Sequence, residues 1–211
     1  MLNYVEYGKE NKYDDDIFFQ KYSQMSRSQQ GLAGAGEWET LRKLLPDFKD
    51  KRVLDLGCGY GWHCIYAMEH GASSVVGVDI SHKMLEVAKE KTHFPQVEYK
   101  CCAIEDVEFP EESFDVILSS LAFHYVADYE ILVKKIYRIL KSGGKLVFTV
   151  EHPVFTAYGT QDWYYNEKGE ILHFPVDNYY YEGKRTAVFL GEKVTKFHRT
   201  LTTYLNTLRN T

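Results

Sequence analysis

The chain is organised around residues 52–62, which read Arg52-Val53-Leu54-Asp55-Leu56-Gly57-Cys58-Gly59-Tyr60-Gly61-Trp62. A short apolar run is followed by three glycines on alternate positions, and helical spacing of apolar residues begins at about Trp62. This pattern predicts a buried strand, a tight turn and a helix. Glycine lets a ligand approach the bare backbone, and the amides that open the helix point toward that ligand. The segment therefore predicts a nucleotide-type cofactor loop, with an ordinary strand-to-helix turn as the alternative.

Composition and charge narrow the class of protein. The chain has 211 residues, of which 45% are hydrophobic and 26% charged, as expected for one globular domain with elaborations. Its formal net charge of -5 and the lack of a Lys- or Arg-rich block argue against nucleic acid or an anionic membrane as partner. No apolar run approaches the roughly 18 residues that span a bilayer. The acidic first twenty residues are unlike a signal peptide, so a cytoplasmic protein is expected.

The cysteines give no sign of a metal site or of disulfides. There are four, Cys58, Cys64, Cys101 and Cys102, and they form no CxxC pair. Free thiols buried as small apolar groups are the expected state in a cytoplasmic protein. No metal is therefore expected.

Downstream of Lys51, continuously apolar runs alternate with helical spacing. Strands are predicted over residues 53–55, 74–79, 97–101, 114–119 and 145–150, with helices over 62–69, 83–91 and 128–140. Apolar strands separated by helices predict an α/β protein with a doubly wound, mostly parallel sheet and helices on both faces. In such a sheet the ligand lies at the carboxyl ends of the strands, so the side chains that follow each strand carry the functional information.

Asp79 is the first side chain that this rule selects. It closes the second strand about two dozen residues after the first, where a carboxylate can accept hydrogen bonds from both ribose hydroxyls of an adenosine. A surface acid that caps the next helix is the alternative. Together with the glycine loop, Asp79 predicts a cofactor that contains adenosine.

Four segments resemble the motifs of class I S-adenosylmethionine-dependent methyltransferases in order and spacing: residues 53–61, 77–81, 114–120 and 140–146. Strings at 27–28, 36–38, 151–155 and 196–200 look like those of a bacterial subgroup of small-molecule-type enzymes. The resemblance implies a Rossmann-like fold and S-adenosylmethionine as cofactor, with S-adenosylhomocysteine as product. It also implies in-line transfer of a methyl group to a small-molecule acceptor, which the sequence does not identify.

The resemblance implies cofactor contacts for eight residues: Asp55, Gly57, Gly59, Asp79, Ile80, Ile104, Glu105 and Ser119. Relatives often carry an aspartate after the third strand that bonds the adenine amino group, and Ala103 occupies that position here. Adenine recognition is then expected from backbone groups or from Glu105. Arg27 is a further cofactor candidate, because an arginine in a loop of small residues can clamp a carboxylate; a solvated surface arginine is the alternative.

Candidate catalytic residues follow the last two strands. His124 comes after the fourth strand and is the first candidate for a general base, because histidine titrates near neutrality. His152 comes after the fifth strand and is the second. Tyr22, Tyr125 and Trp163 are expected to line the acceptor pocket. For each histidine the alternative is a hydrogen-bonded residue that transfers no proton.

Two other functions compete with methyl transfer. An NAD-dependent dehydrogenase would carry the motif G-x-G-x-x-G at this turn. The third glycine of that motif would fall at position 62, which is Trp62 here. This side chain is too bulky for the close helix–strand packing that glycine allows. The second competitor is a sensor or partner subunit that binds the cofactor without catalysis. Binding of NAD alone would favour the first, and binding without turnover the second.

Three regions are predicted within a single domain. Residues 1–46 form an N-terminal helical cap over the active site, with a loop or broken helix at 26–36. Residues 47–150 form the cofactor-binding core, and residues 151–211 form an aromatic-rich insertion and a final helix. Strands six and seven of the family sheet are expected to be absent, which leaves strand five at an open edge. Residues 151–195 or a second copy in a homodimer are predicted to cover that edge.

Overall fold

The structure is a computed structural model that describes residues 9, 11–158 and 161–211. Within these residues the centre is a five-stranded parallel sheet in the order β3-β2-β1-β4-β5. Its strands are β1 (Arg52–Leu56), β2 (Ser74–Asp79), β3 (Val97–Cys101), β4 (Phe114–Ser120) and β5 (Leu140–Thr149). The predicted doubly wound parallel fold is confirmed, and β1 to β4 end within one residue of their predicted bounds.

β5 begins five residues earlier than predicted. Leu140 pairs with Phe114, and pairing then resumes between Lys145 and Val116, so that residues 141–144 form an irregularity in the ladder. Gly143 has a φ of 77° there. Gly143 and Gly144, which predicted the end of the preceding helix, thus lie inside β5, where they form part of a bulge.

The helices, in chain order, are α1 (Asp16–Ser23), α2 (Ser26–Gln30), α3 (Trp38–Leu44), α4 (Trp62–Glu69), α5 (His82–Lys91), α6 (Tyr129–Ile139), α7 (Pro153–Ala157) and α8 (Leu201–Asn210). Successive strand residues point to opposite faces of the sheet. Val53, Val75 and Val116 pack with α4 and α5 on one face. Leu54 and Ile117 pack with α6 and α8 on the other. Both faces of the sheet are therefore covered.

The described part of the predicted cap lies beside the carboxyl ends of the strands. Of the two alternatives for residues 26–36, a loop or a broken helix, the structure shows the broken helix, since α2 ends at Gln30 and a short 3-10 helix spans Gly31–Gly34. Asp14 joins the cap to the start of α5: its Oδ1 accepts from Ser81 Oγ at 2.6 Å and from Lys83 N at 3.2 Å. Residues 1–8 and residue 10 of the predicted cap lie outside the described residues.

After α7 the chain forms two small antiparallel sheets. One pairs β6 (Tyr164–Tyr165) with β7 (Ile171–His173), and the other pairs β8 (Gly183–Phe189) with β9 (Glu192–His198). The β8–β9 hairpin reaches the cap, where Phe18 packs with Ala187 and Val194.

β5 lies at one margin of the main sheet, and β4 is its partner there among the described strands. None of the strands of residues 161–195 pairs with β5, so the segment predicted to cover this edge does not extend the sheet. A homodimer across that edge stays a prediction. None of the helices in the described residues has the length and apolar content to cross a membrane.

Candidate active site

The glycine loop after β1 is held against β2 by backbone hydrogen bonds. Gly57 N and Cys58 N both donate to Val78 O, at 2.8 and 2.9 Å. Gly57 and Gly59 have φ values of 78° and 52°, a region in which a side chain is strained. The loop thus exposes bare backbone at the carboxyl ends of β1 and β2.

Asp79 is fixed by the two segments on either side of it. Its Oδ2 accepts from Gly59 N at 2.8 Å, and its Oδ1 accepts from Ser81 N at 2.9 Å. Burial raises the pKa of Asp79 to about 6, although these backbone donors favour its charged form. The carboxylate is therefore anchored in one orientation and is predominantly ionised at neutral pH.

A cavity of about 320 Å³ opens at this end of the sheet. It brings together most of the predicted site residues: Tyr22, Arg27, Gly57, Gly59, Asp79, Ile80, Ile104, Glu105, His124 and Tyr125. Ala103 also lines it, at the position where relatives often carry an aspartate. The strand-end rule thus selected residues between Gly57 and Tyr125 that share one cavity, and Tyr22 and Arg27 join them from the predicted cap.

Two predicted cofactor residues do not line the cavity. Asp55 is 1% exposed, and its Oδ2 accepts from Cys64 Sγ at 3.5 Å. Ser119 is also buried, and its hydroxyl donates to Leu56 O at 2.7 Å. Its neighbour Ser120 lines the cavity instead. The expected cavity positions of Asp55 and Ser119 are wrong, because each side chain points into the protein rather than toward the strand-end opening.

Two residues predicted for catalysis and acceptor binding lie on the surface. His152 is exposed, and its Nδ1 accepts from Val154 N at 3.2 Å, which caps the start of α7. Trp163 is 43% exposed and packs edge-on against Phe174. Neither lines the cavity. Their expected positions are wrong, because His152 caps α7 and Trp163 packs against Phe174.

Arg27 lines the cavity as part of an ion pair. Its Nη2 donates to both carboxylate oxygens of Glu37, at 2.6 and 2.7 Å, and Ser120 Oγ donates to Glu37 Oε1 at 3.1 Å. The two opposite charges adjoin a small side pocket that also borders Gly57 and Gly59. Such a pair can bind a group that carries both a carboxylate and an ammonium.

The far part of the cavity is aromatic. The ring of Tyr13 contacts those of Tyr22 and Tyr125 nearly at right angles, and its hydroxyl lies 3.3 Å from that of Tyr125. Phe189, from the β8–β9 hairpin, also lines the cavity. Sequence reasoning missed Tyr13 and Phe189, because nothing in their local pattern places them beside the sheet.

His124 adjoins this aromatic part and is 2% exposed. Burial lowers its pKa to about 4, against the attraction of the nearby carboxylate of Glu151. Glu151 N donates to His124 Nδ1 at 3.5 Å, and His124 Nε2 lies 3.9 Å from Glu151 Oε1. With Nδ1 as acceptor, the neutral ring carries its proton on Nε2. Glu151 lines the cavity two residues after the end of β5, so the strand-end rule could have selected it.

The residues at the cavity fit an adenosine-containing cofactor. A Cβ at Gly59 would meet no atom within 4 Å, so the backbone there faces open space into which a ligand fits. The Asp79 carboxylate suits a diol, and Ile80 and Ile104 suit a flat apolar ring. All four cysteines are free, and no group of three or more metal-binding side chains occurs in the described parts of the chain.

Asp55 provides a pH-dependent test of its buried position. Burial raises its pKa from 3.8 to about 7, and its Oδ1 has no hydrogen-bond partner. The folded protein therefore binds more protons than the unfolded chain between these pH values, and its stability falls as pH rises from about 4 to 7. We expect Asp55→Asn to be more stable than wild type at pH 8 by about 1 kcal/mol or more, a Tm increase of about 2–4 °C.

At pH 5 the gain should be clearly smaller, because Asp55 is then protonated in the folded protein, and it should disappear near pH 4, where the unfolded chain is protonated as well. Thermal unfolding followed by circular dichroism at both pH values measures the difference. Affinity for S-adenosylhomocysteine should stay within about threefold of wild type, since the side chain does not line the cavity. A loss of stability at pH 8 would contradict the prediction.

Comparisons with known proteins find methyltransferases, and two solved structures among them match more than four fifths of this chain. Residues 54–148 match the methyltransferase domain family. The crystal structure of a candidate S-adenosylmethionine dependent methyltransferase from Listeria monocytogenes is 57% identical, with a TM-score of 0.79 over 83% of this chain and 82% of that one. The S-adenosylmethionine dependent methyltransferase from Mesorhizobium loti is 41% identical, with a TM-score of 0.79 over 85% and 82%. A ubiquinone biosynthesis O-methyltransferase from Coxiella burnetii is 36% identical over 112 residues, 52% of this chain and 47% of that enzyme.

Proposed function

Because this chain belongs to the S-adenosylmethionine-dependent methyltransferase family and is an enzyme with that cofactor, we propose that it methylates a small, partly apolar acceptor bound beside His124. One observation carries the proposal. A single cavity is lined both by Gly59 and Asp79 and by the aromatic residues Tyr13, Tyr22 and Phe189.

The first part of the cavity suits each portion of the cofactor. Asp79 would accept hydrogen bonds from the ribose hydroxyls, and Ile80 and Ile104 would enclose the adenine. The Arg27–Glu37 pair would bind the carboxylate and ammonium of the methionine portion. The cofactor supplies an electrophilic methyl group on a sulfonium. With Ala103 in place of an acid, the adenine amino group would be recognised by backbone groups or by Glu105.

The second part of the cavity would hold the acceptor in line with the methyl group. Correct alignment of reacting groups can supply about 7–11 kcal/mol of a reaction barrier. The aromatic rings exclude water and enclose an apolar acceptor, while the tyrosine hydroxyls and His124 provide polar contacts. The low pKa of His124 and the proton on Nε2 favour a hydrogen bond to the acceptor over removal of its proton.

A small acceptor is supported by the size and charge of the site. The cavity of about 320 Å³ is at the lower end of the range for small-molecule sites and must also admit the cofactor. The net charge of -5 disfavours nucleic acid as acceptor. The similar Coxiella enzyme is an O-methyltransferase of ubiquinone biosynthesis, which gives limited support to an aromatic hydroxyl.

Two measurements test this proposal. Calorimetric titration with S-adenosylmethionine, S-adenosylhomocysteine and NAD should show binding of the first two and none of NAD. Release of S-adenosylhomocysteine is then followed over a panel of small phenols, alcohols, amines and carboxylic acids. Binding of NAD alone would overturn the assignment. Cofactor binding with no turnover on the panel would favour the alternative of a sensor or partner subunit.

His124 and His152 form a matched pair of variants for the same panel. We expect His124→Ala to lower turnover about 10- to 100-fold, because misplacement of the acceptor by about 1 Å has effects of this size. His152→Ala should retain full turnover, since that side chain lies outside the cavity. His124→Asn keeps an N–H donor and should recover part of the activity if His124 acts by a hydrogen bond. Equal loss in both His124 variants would instead support a general base.

A further inference from the structure

We propose that Lys196, on β9, is a positioning residue for the acceptor part of the cavity: it holds the carboxylate of Glu151 beside His124 and neutralises its charge. The proposal rests on the proposed function, because it concerns the same cavity. Lys196 lies outside the residues that match the methyltransferase domain family.

Lys196 is fully enclosed, which is unusual for a lysine. It is 2% exposed, and its Nζ lies 2.5 Å from Glu151 Oε1 and 3.0 Å from Gln161 Oε1. Gln161 Nε2 in turn donates to Glu151 Oε2 at 2.9 Å. The three side chains form a closed ring in which both oxygens of Glu151 have a donor. The carboxylate therefore has little freedom to rotate.

An ion pair with a buried lysine calls for an explanation other than stability. The Lys196 ammonium loses nearly all of its hydration, whereas Glu151 is 27% exposed, and an apolar side chain of similar size often stabilises a protein as well as a buried ion does. Gln161 also adopts a φ of 60°, a conformation that non-glycine residues rarely take and that clusters at functional sites. The buried lysine and the positive φ of Gln161 both occur beside the carboxylate of Glu151, which lines the cavity. A functional role for Glu151 accounts for both.

The ring of hydrogen bonds acts on His124 through Glu151. Glu151 Oε1, the oxygen that Lys196 holds, is the one that lies 3.9 Å from His124 Nε2. Arg199, three residues after Lys196, secures the other side: its guanidinium donates to the carbonyl oxygens of Val126 and Ala127, just after His124. The end of β9 thus determines the position of both members of the His124–Glu151 pair.

The charges around His124 show what Lys196 changes. The charged groups near its ring are Glu151, Lys196 and Arg199. With Lys196 in place, the carboxylate has a direct counter-ion, and the acceptor meets a neutral pair. Without Lys196, the imidazole would face an unpaired carboxylate, which favours its protonated form.

The test is the titration of the His124 ring by NMR in Lys196→Met. We expect the wild-type ring to stay neutral down to pH 5, and the ring of the variant to titrate with a midpoint above pH 5, higher by about one pH unit or more. The double variant Lys196→Met with Glu151→Gln removes both charges and should return the ring to its wild-type behaviour. Lys193→Met, an exposed position on the same strand, is the matched control and should change nothing.

An unchanged His124 titration in Lys196→Met would overturn the proposal. If that variant does not fold, Lys196→Gln gives the same test, because glutamine keeps a donor to Glu151 without the charge. Calorimetry with S-adenosylhomocysteine separates this proposal from the proposed function. Failure of the wild type to bind it would refute the function alone, whereas wild-type binding with no change in the NMR titration would refute only the role of Lys196.

Discussion

Replacing Asp79 by alanine is expected to weaken binding of S-adenosylhomocysteine by about 100-fold or more. A hydrogen bond to a charged group contributes about 1.5–3 kcal/mol, and the carboxylate is placed to accept two from the ribose. The variant also removes the acceptor of Gly59 N and Ser81 N, which orient the loop and the next helix. Calorimetric titration at pH 7.5 measures the loss.

Two controls separate the effect on binding from an effect on folding. Glu90→Ala removes an exposed acid from the helix that follows Asp79 and should bind as wild type does. Asp79→Asn keeps the shape but not the charge and should lose about 10-fold. Because Asp79 binds best when ionised and has a pKa of about 6, wild-type affinity should fall as pH drops below 6. An affinity for Asp79→Ala within about threefold of wild type would contradict the ribose assignment.

Gly57→Ala is expected to destabilise the protein strongly. A Cβ at this position would lie 2.5 Å from the Cβ of Ala122, closer than atoms can approach, and the φ of 78° adds strain. We estimate a combined loss of about 2–5 kcal/mol in the free energy of unfolding, from overpacking and from the left-handed backbone. The shift of the loop should also abolish detectable cofactor binding.

Gly59→Ala is the matched control for this variant. Its φ of 52° imposes similar backbone strain, but a Cβ there would meet no atom within 4 Å. It should lose only about 1–2 kcal/mol of stability. Urea unfolding monitored by tryptophan fluorescence compares the two. Equal losses would show that contact with Ala122 does not determine the requirement for glycine at position 57.

The family and the cofactor followed from a resemblance in four short motifs, and both are confirmed. Apolar runs of strand length, separated by helical spacing, indicated the parallel sheet. The rule that ligands bind at the carboxyl ends of such strands then selected Gly57, Gly59 and Asp79. These inferences succeeded because each depends on residues close together in the chain, where periodicity and turn-forming residues can be recognised from the sequence.

Errors arose where the direction of one side chain mattered. Ser119 and Ser120 are adjacent at the end of β4, and only Ser120 lines the cavity. Successive side chains of a strand point to opposite faces, so an error of one residue reverses the assignment. Asp55 shows a related error, since it lies beneath the glycine loop and not at the cavity. Strand spacing alone does not determine which side chain faces the ligand.

The sequence by itself determined the sheet, the glycine loop and the acid that follows the second strand, because these depend on periodicity and on spacing along the chain. Only the tertiary structure decided how the part of the cavity around His124 is assembled. Tyr13 comes from the cap, His124 and Glu151 follow β4 and β5, and Lys196 lies on a hairpin 45 residues after Glu151. Their proximity depends on how the cap and the hairpin pack against the sheet, and that packing leaves no periodic signal in the chain.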